Sequence, residues 1–375
     1  MNKKLLFLVN VDWFFLSHRL PIALKALQEG YDVHLACNFI EQRDYIESLG
    51  IKTHQISFSR SGKGFVEEIK TLKDINVLFS KLRPEIVHGV TIKPVLYGGV
   101  IGRFKSIQGF VGAISGLGLV FVAKGMKAKI FRTFIKALYK LAFGHDNKAI
   151  IFQNEADRQV LLNAGVLSEQ DCKMIRGSGA DLQTYSPKEL PQGTTTFIMA
   201  ARLLKEKGVN EFIDAAREVK NKGFDARFLL VGDPDSGNPN SFTHEDLKLW
   251  EKEGYVEVLG HRTDIPELFS QSHVVVLPSF YGEGLPKVLI EAAACGRAII
   301  TTDNPGCSAA VVSGETGIIV PAQDVGSLVA AMEQFLQFPT QLQSMGKAGR
   351  KLAEEEFDVN SVVQQHLNIY SELMA

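Results

Sequence analysis

The feature that most constrains this chain is a repeated alternation of short apolar runs with longer amphipathic stretches. In the first half, residues 4–9, 32–37 and 86–88 read as buried strands, and 16–28 and 43–49 as helices. The second half is cleaner, with strands at 196–200, 226–231, 256–259, 274–277 and 298–301 and helices at 209–222, 244–253, 264–272 and 286–294. Strands that alternate with helices pack as parallel sheets covered on both faces. The expected fold class is therefore α/β, with two doubly wound Rossmann-like domains facing across a cleft. Such sheets take ligands beyond the carboxyl ends of their strands, where helix N-termini attract anions, so the cleft is the expected site.

Composition supports that size and class. The 375 residues suit about two domains of ~150 residues, and 45% hydrophobic with 22% charged residues is a globular balance. The net charge of −1 gives no global reason to expect nucleic acid. The charge is unevenly placed, however. Residues 1–185 hold 25 Lys+Arg and 16 Asp+Glu, net +9, and the remainder holds 16 and 26, net −10. A Pro/Gly/Ser/Thr-rich stretch at 186–195 lies between the halves, which sets expected domains at 1–187 and 188–356 and leaves 357–375 as a terminal helix.

Cys37, Cys172, Cys295 and Cys307 form no C-x-x-C pair and stand near no histidine cluster, so no zinc site and no disulfide framework is legible, and a reducing cytosol fits. The apolar run after Lys4 ends at Asn10 and Asp12 without a small-residue cleavage site and reads as a first strand. The uncharged window 106–123 is near the minimum for a membrane span, but Gly109, Gly112, Gly116 and Gly118 dilute it towards a buried strand and glycine loop.

The helix expected after that window is basic. Lys129, Arg132, Lys136 and Lys140 share one face, and Ile130, Phe134, Leu138 and Leu141 share another. This pattern fits peripheral docking on anionic lipid; the alternative is a helix packed on its own domain with a solvated lysine face.

No G-x-G-x-x-G follows the first strand of either half, and no P-loop, H-E-x-x-H or G-x-S-x-G occurs, which removes the common NAD enzymes, P-loop NTPases, zincins and serine hydrolases. Two other stretches carry chemistry. Arg202-Leu-Leu-Lys-Glu-Lys-Gly208 places cations ahead of a helix N-terminus, an arrangement that makes electrostatic sense if a diphosphate lies between them and the helix. Pro278-Ser-Phe-Tyr-Gly-Glu-Gly-Leu-Pro-Lys-Val-Leu-Ile-Glu291 spans a strand-to-helix turn, with Pro286 placed for the first helical position. Glu283 and Glu291 stand eight residues apart, which on a helix allows up to ~12 Å. That exceeds the ~5–9.5 Å of a carboxylate pair acting on one bond and suits two ends of one nucleotide-sugar. Asp233-Pro-Asp235 imitates a metal-chelating D-x-D, but its Gly and Pro neighbours mark a plain exposed loop.

Together these residues resemble the GT-B glycosyltransferases, specifically the retaining family 4 (group 1). The likeness rests on Arg202, Lys207, Glu283-x7-Glu291, Gly296 and the 314–321 stretch, and covers the second domain. It implies that Arg202, Lys207 and Glu283 are catalytic, with Arg202 and Lys207 on the donor diphosphate and Glu283 on the sugar hydroxyls. It further implies Glu291 on the ribose, Gly282, Gly284, Leu285 and Pro286 at phosphate or sugar, Gly260, His261 and Arg262 framing the base, and a last helix at 357–374 crossing back to the first domain. The glycine pair that many members carry after the first strand is missing here.

In the first domain, Ser17-His-Arg-Leu-Pro21, His88, Lys93-Pro94, Gly116-Leu-Gly118 and Phe152-Gln-Asn-Glu155 resemble the bacterial branch that extends polyprenyl-diphosphate-linked sugars, as in N-acetylgalactosaminyl transfer. Acceptor or cleft candidates are Ser17, His18, His88, Lys93, Gly116, Gly118 and Asn154; His88 fits a core hydrogen bond equally well. The function implied is transfer of a hexose or N-acetylhexosamine from a UDP-sugar to a lipid-diphosphate-linked saccharide, with configuration retained, no metal and no cofactor, at the cytoplasmic face of the inner membrane. Alternatives are a transferase with a soluble acceptor, a UDP-sugar epimerase of the same fold, and a non-catalytic sugar-nucleotide sensor.

Overall fold

The computed structural model describes residues 3–58, 64–105, 107–117, 126–235, 237–280 and 282–375, with the side chains of 65 and 126–132 outside that description. Contacts divide the chain into two units, Met1–Ser178 with Asn360–Ala375, and Gly179–Val359. The division falls ahead of the Pro/Gly-rich stretch, which packs into the second unit: Lys188 Nζ lies 2.6 Å from Glu267, and the buried Arg297 donates through Nη2 to the Lys188 carbonyl at 2.5 Å.

The first unit runs β1 (Lys4–Val11), α1 (Asp12–His18), α2 (Leu20–Gln28), β2 (Asp32–Asn38), α3 (Arg43–Ser48), β3 (Lys52–Gln55), α4 (Phe65–Leu82), β4 (Ile86–Val90), α5 (Ile92–Arg103), β5 (Gly109–Ile114), α6 (Met126–Ala142), β6 (Lys148–Phe152), α7 (Glu155–Asn163) and β7 (Cys172–Met174). Its sheet is parallel, in the order β3-β2-β1-β4-β5-β6-β7. The central strands read as apolar runs because both of their faces are covered. Phe7, Phe110 and Phe152 are completely buried there, each removal from water worth about 1.5–3 kcal/mol. One helix expected over 16–28 is two: Arg19 leaves helical geometry at φ −131°, and Pro21 sits in the first turn of α2, where its missing N–H costs no bond.

The apolar window resolves into β5, buried along its length between β4 and β6. Gly118 and the rest of 118–125, with Ser106, lie outside the described residues. Among the described residues no helix is long and apolar enough to cross a membrane. The basic stretch forms α6, with Lys136 and Lys140 exposed and Tyr139 and Ala142 buried. The side chains of Lys129 and Arg132 are outside the described set. Phe134, assigned from spacing to the apolar face, is 63% exposed.

The second unit runs β8 (Thr195–Ala200), α8 (Val209–Asn221), β9 (Ala226–Val231), α9 (His244–Glu253), β10 (Glu257–Gly260), α10 (Ile265–Ser270), β11 (Val274–Leu277), α11 (Lys287–Ala294), β12 (Ala298–Thr302), α12 (Pro305–Ser308), β13 (Gly317–Val320), α13 (Val325–Gln337) and α14 (Thr340–Glu356). Its parallel sheet has the order β10-β9-β8-β11-β12-β13, so the direction of winding reverses between β8 and β11. A ligand crevice opens beyond the carboxyl ends at such a point. Pro286 caps α11 from the position before its first turn, with extended ψ, rather than occupying that turn. The last helix, α15 (Val359–Glu372), returns the chain to the first unit, where Lys173 Nζ pairs with Glu372 at 2.9 Å and Asn147 donates to the Leu373 carbonyl at 2.7 Å.

Candidate active site

Beyond β8 the chain makes a tight turn before α8, and beyond β11 it makes a longer loop before α11. The two are stitched together by backbone. The Glu206 carbonyl accepts from the Phe280 N–H at 3.0 Å and lies 3.1 Å from the Ser279 hydroxyl. Gly208 makes the approach possible: its φ is +81°, and a Cβ there would stand 2.2 Å from the Pro278 carbonyl oxygen, so no other residue fits without moving the β11 exit.

This stitching sets two motif residues side by side. Lys207 Nζ lies 2.6 Å from Glu283 Oε2, and Ser279 Oγ lies 2.6 Å from Glu283 Oε1. Both charged side chains are mostly shielded, at 17% and 13% exposure. The carboxylate is thus oriented at both oxygens, and the ammonium keeps two more N–H groups for a further acceptor. The loop is pinned from below. Thr302 Oγ1 donates to the Ser279 carbonyl, and Gly306 of α12 lies so close beneath the 283–284 backbone that a Cβ would meet the Glu283 and Gly284 carbonyl oxygens at 2.2 and 2.3 Å. Gly284, Leu285 and Pro286 are buried, and Gly282 is half-buried.

Arg202 is half exposed and donates to Asp235 at 3.3 Å. The D-x-D look-alike is therefore more than a plain exposed loop: Asp235 is largely covered and anchors a guanidinium at the rim. Among the described residues no group of His, Cys, Asp and Glu is arranged to hold a metal ion.

Glu291 is 8% exposed on α11, with Lys287 Nζ at 3.2 Å one turn earlier and the Tyr185 hydroxyl as a further partner. Burial raises its pKa, against the pull of Lys287 and Tyr185. At the β10 end, Gly260 has φ +64° and accepts the Gly232 N–H at 2.9 Å, while His261 and Arg262 are exposed and Arg262 forks onto Asp264.

The sequence of the second unit matches the model of the glycosyl transferases group 1 family over residues 183–352, and residues 4–154 match a glycosyl transferase 4-like model. Across 96% of the chain and 98% of its counterpart, it is 30% identical to the N,N'-diacetylbacillosaminyl-diphospho-undecaprenol alpha-1,3-N-acetylgalactosaminyltransferase of Campylobacter jejuni. The chain is a group 1 glycosyltransferase. It is also 23% identical to the UDP-Gal:alpha-D-GlcNAc-diphosphoundecaprenol alpha-1,3-galactosyltransferase of Escherichia coli, over 92% of the chain and 90% of that protein. The sucrose-phosphate synthase structure from Thermosynechococcus elongatus shares the GT-B fold at a TM-score of 0.80, with 18% identity over 100% of this chain and 99% of that one.

In the first unit of this glycosyltransferase the sequence-derived candidates do not all meet. Asp12 opens α1 directly after β1, and its carboxylate is already spent on backbone: Oδ2 accepts from Ile40, Glu41 and Gln42 and Oδ1 from Trp13, at 2.8–3.1 Å. Burial opposes that charge, but the four N–H groups hold its pKa below the usual value. The β1–α1 turn thus offers an anion a carboxylate rather than open N–H groups. His88 is in the core, wholly buried and 2.6 Å from the Tyr370 hydroxyl of α15, which removes it from the cleft candidates. Asn154 is the N-cap of α7, accepting from the Asp157 N–H at 2.8 Å. Lys93 pairs with Glu68 of α4 at 2.6 Å, and the Tyr97 hydroxyl donates to the other Glu68 oxygen at 2.6 Å. His18 stacks on Phe14 with centroids 4.1 Å apart, next to Ser17. Gly116 has φ +102° just beyond β5.

Ser279, Tyr185, Asp235 and Gly306 were not picked out as site residues from sequence. Ser279 had a legible signal, a hydroxyl four residues ahead of Glu283 in the same turn. The others act through contacts that only the folded sheet creates.

Proposed function

We propose that this glycosyltransferase moves a hexose or N-acetylhexosamine from a UDP-sugar to a polyprenyl-diphosphate-linked saccharide in bacterial surface-glycan assembly, retaining configuration and using no metal ion. The observation that carries the proposal is the end-to-end similarity to a C. jejuni protein whose name specifies N-acetylgalactosaminyl transfer to an undecaprenol-diphosphate-linked sugar.

The geometry supports the chemistry. Arg202 and Lys207, each paired with a carboxylate at the carboxyl ends of β8 and β11, stand as N–H donors for the oxygens of a departing UDP, the role a metal would otherwise fill. Glu283, held by Ser279 and Lys207, orients the donor hydroxyls. Glu283 is the carboxylate in this turn and both of its oxygens are engaged, which favours front-face attack: the acceptor oxygen bonds to the anomeric carbon as the carbon–phosphate oxygen bond breaks, and that phosphate oxygen takes the acceptor proton. Glu291 receives the ribose hydroxyls, and Gly260, His261 and Arg262 frame the base. The exposed Lys136 and Lys140 of α6 support peripheral contact with the anionic cytoplasmic face of the membrane.

The test is product analysis. Purified enzyme, a panel of UDP-sugars and a synthetic undecaprenyl-diphosphate saccharide are incubated with EDTA, and the new linkage is assigned by NMR. One preferred donor and a product with the donor's anomeric configuration support the proposal. Inverted product contradicts retention, loss of product in EDTA contradicts metal independence, and transfer to free sugars alone contradicts the lipid acceptor.

A further inference from the structure

Arg19, from the Ser17-His-Arg-Leu-Pro21 motif, is 1% exposed, and two buried histidines that feel its charge, His88 of β4 and His366 of α15, are 0% and 1% exposed. Arg19 donates through Nη1 to the His18 carbonyl at 2.8 Å; among the described residues no carboxylate pairs with it. The His88 and His366 rings lie nearly parallel, with centroids 5.6 Å apart, and Phe7 covers the His88 ring at 5.1 Å.

Three nitrogens in this cluster are buried with no hydrogen-bond partner: Arg19 Nε, His88 Nε2 and His366 Nε2. Such atoms are rare in folded proteins, and each costs the desolvation of a polar group unless something fills the place. Their proton inventory is complementary. His366 Nδ1 lies 2.8 Å from the Val362 carbonyl, which can only accept, so Nδ1 carries the proton and Nε2 presents a lone pair. The Tyr370 hydroxyl lies 2.6 Å from His88 Nδ1; among the described residues no other acceptor meets its proton, so it donates to Nδ1 and His88 Nε2 carries a proton. Arg19 Nε is always a donor. Burial holds both histidines neutral, His366 at about 3, and lowers Arg19 to about 10, which leaves it charged at neutral pH.

Two donors and one acceptor, on side chains close enough to act on one another's charge, match the complement of a water molecule. We infer that Arg19, His88 and His366 enclose a single internal water that accepts from Arg19 Nε–H and His88 Nε2–H and donates to His366 Nε2, and that this wet polar junction fastens α15 to β4 and to the α1–α2 corner. A halide fits poorly, because it would face the His366 lone pair. The motif arginine is thereby a structural residue of the first unit rather than a contact for substrate.

A high-resolution crystal structure of the full chain, with a parallel bromide soak, tests the site. A single peak within hydrogen-bond distance of the three nitrogens and no anomalous signal is expected. An anomalous peak, or direct pairing of the nitrogens with no density between them, overturns the water. Hydrogen exchange tests the fastening. In Tyr370→Phe and in His366→Leu, amide exchange across residues 360–372 should rise about tenfold or more relative to wild type, while the apolar control Val363→Ala in the same helix should change it less. Equal loosening by Val363→Ala, or wild-type exchange in both polar variants, overturns the junction as the fastener. A variant that fails to fold is replaced by His366→Met, for which the same rise is expected.

Discussion

Lys207 Nζ and Glu283 Oε2, 2.6 Å apart, tie the turn after β8 to the loop after β11 through two side chains that are each largely shielded from water. One partner comes from a cation-rich stretch and the other from a glycine-rich one, 76 residues away. Their charges offset each other, so removing either leaves the other unpaired. Lys207→Ala and Glu283→Gln should each lower kcat by about 10²–10³. The double variant should lose far less than the product of the two effects, because the residues act as a unit. Steady-state UDP release by the three variants checks this, and multiplicative losses would argue for independent roles.

Gly306→Ala should disturb the site from beneath. Its new methyl would stand 2.2 Å from the Glu283 carbonyl oxygen, so the 282–286 loop must shift. A rise in the donor KM and a stability loss of about 1–3 kcal/mol are expected. Donor titration and urea unfolding measure both.

Asp157 provides a pH-dependent term in the first unit. Burial raises its pKa to about 6, against hydrogen bonds from Asn154 and the Leu117 N–H. A carboxyl whose folded value lies above its unfolded one binds a proton more tightly in the native state. Its contribution therefore grows as pH falls from about 6 towards the unfolded value near 4, and is absent above pH 6. In Asp157→Asn that portion of the stability profile should flatten. Unfolding midpoints between pH 4 and 7 would show it, and an unchanged profile would remove Asp157 from the account.

Lys136→Gln with Lys140→Gln should weaken binding to anionic vesicles about tenfold or more, with the loss shrinking as salt rises. Neutral vesicles serve as the reference. Unchanged partitioning would return α6 to the role of a packed helix with a solvated face.

What was legible in the sequence follows from where the information sits. Strands such as Val274–Leu277 are continuous apolar runs because they are covered on both faces, and they could be read directly. The edge strands Lys52–Gln55 and Cys172–Met174 carry no such run and were not visible. The Lys207 and Glu283 motifs were each legible, but their contact depends on β8 and β11 being neighbours, which no local pattern encodes. His88 reads equally as cleft or core from sequence because its partner, Tyr370, stands 282 residues away. Asp235 reads from sequence as part of a plain exposed loop because sequence shows its Gly and Pro neighbours and not the Arg202 side chain that reaches it.

The most direct test of the central claim is UDP release from a panel of UDP-sugars with and without undecaprenyl-diphosphate-linked saccharide. Release with one preferred donor that depends on the lipid-linked acceptor, and falls by about 10²–10³ in Lys207→Ala, is the predicted result. Conversion of the donor with no acceptor present, or binding of UDP-sugar with no release under any condition, would contradict it.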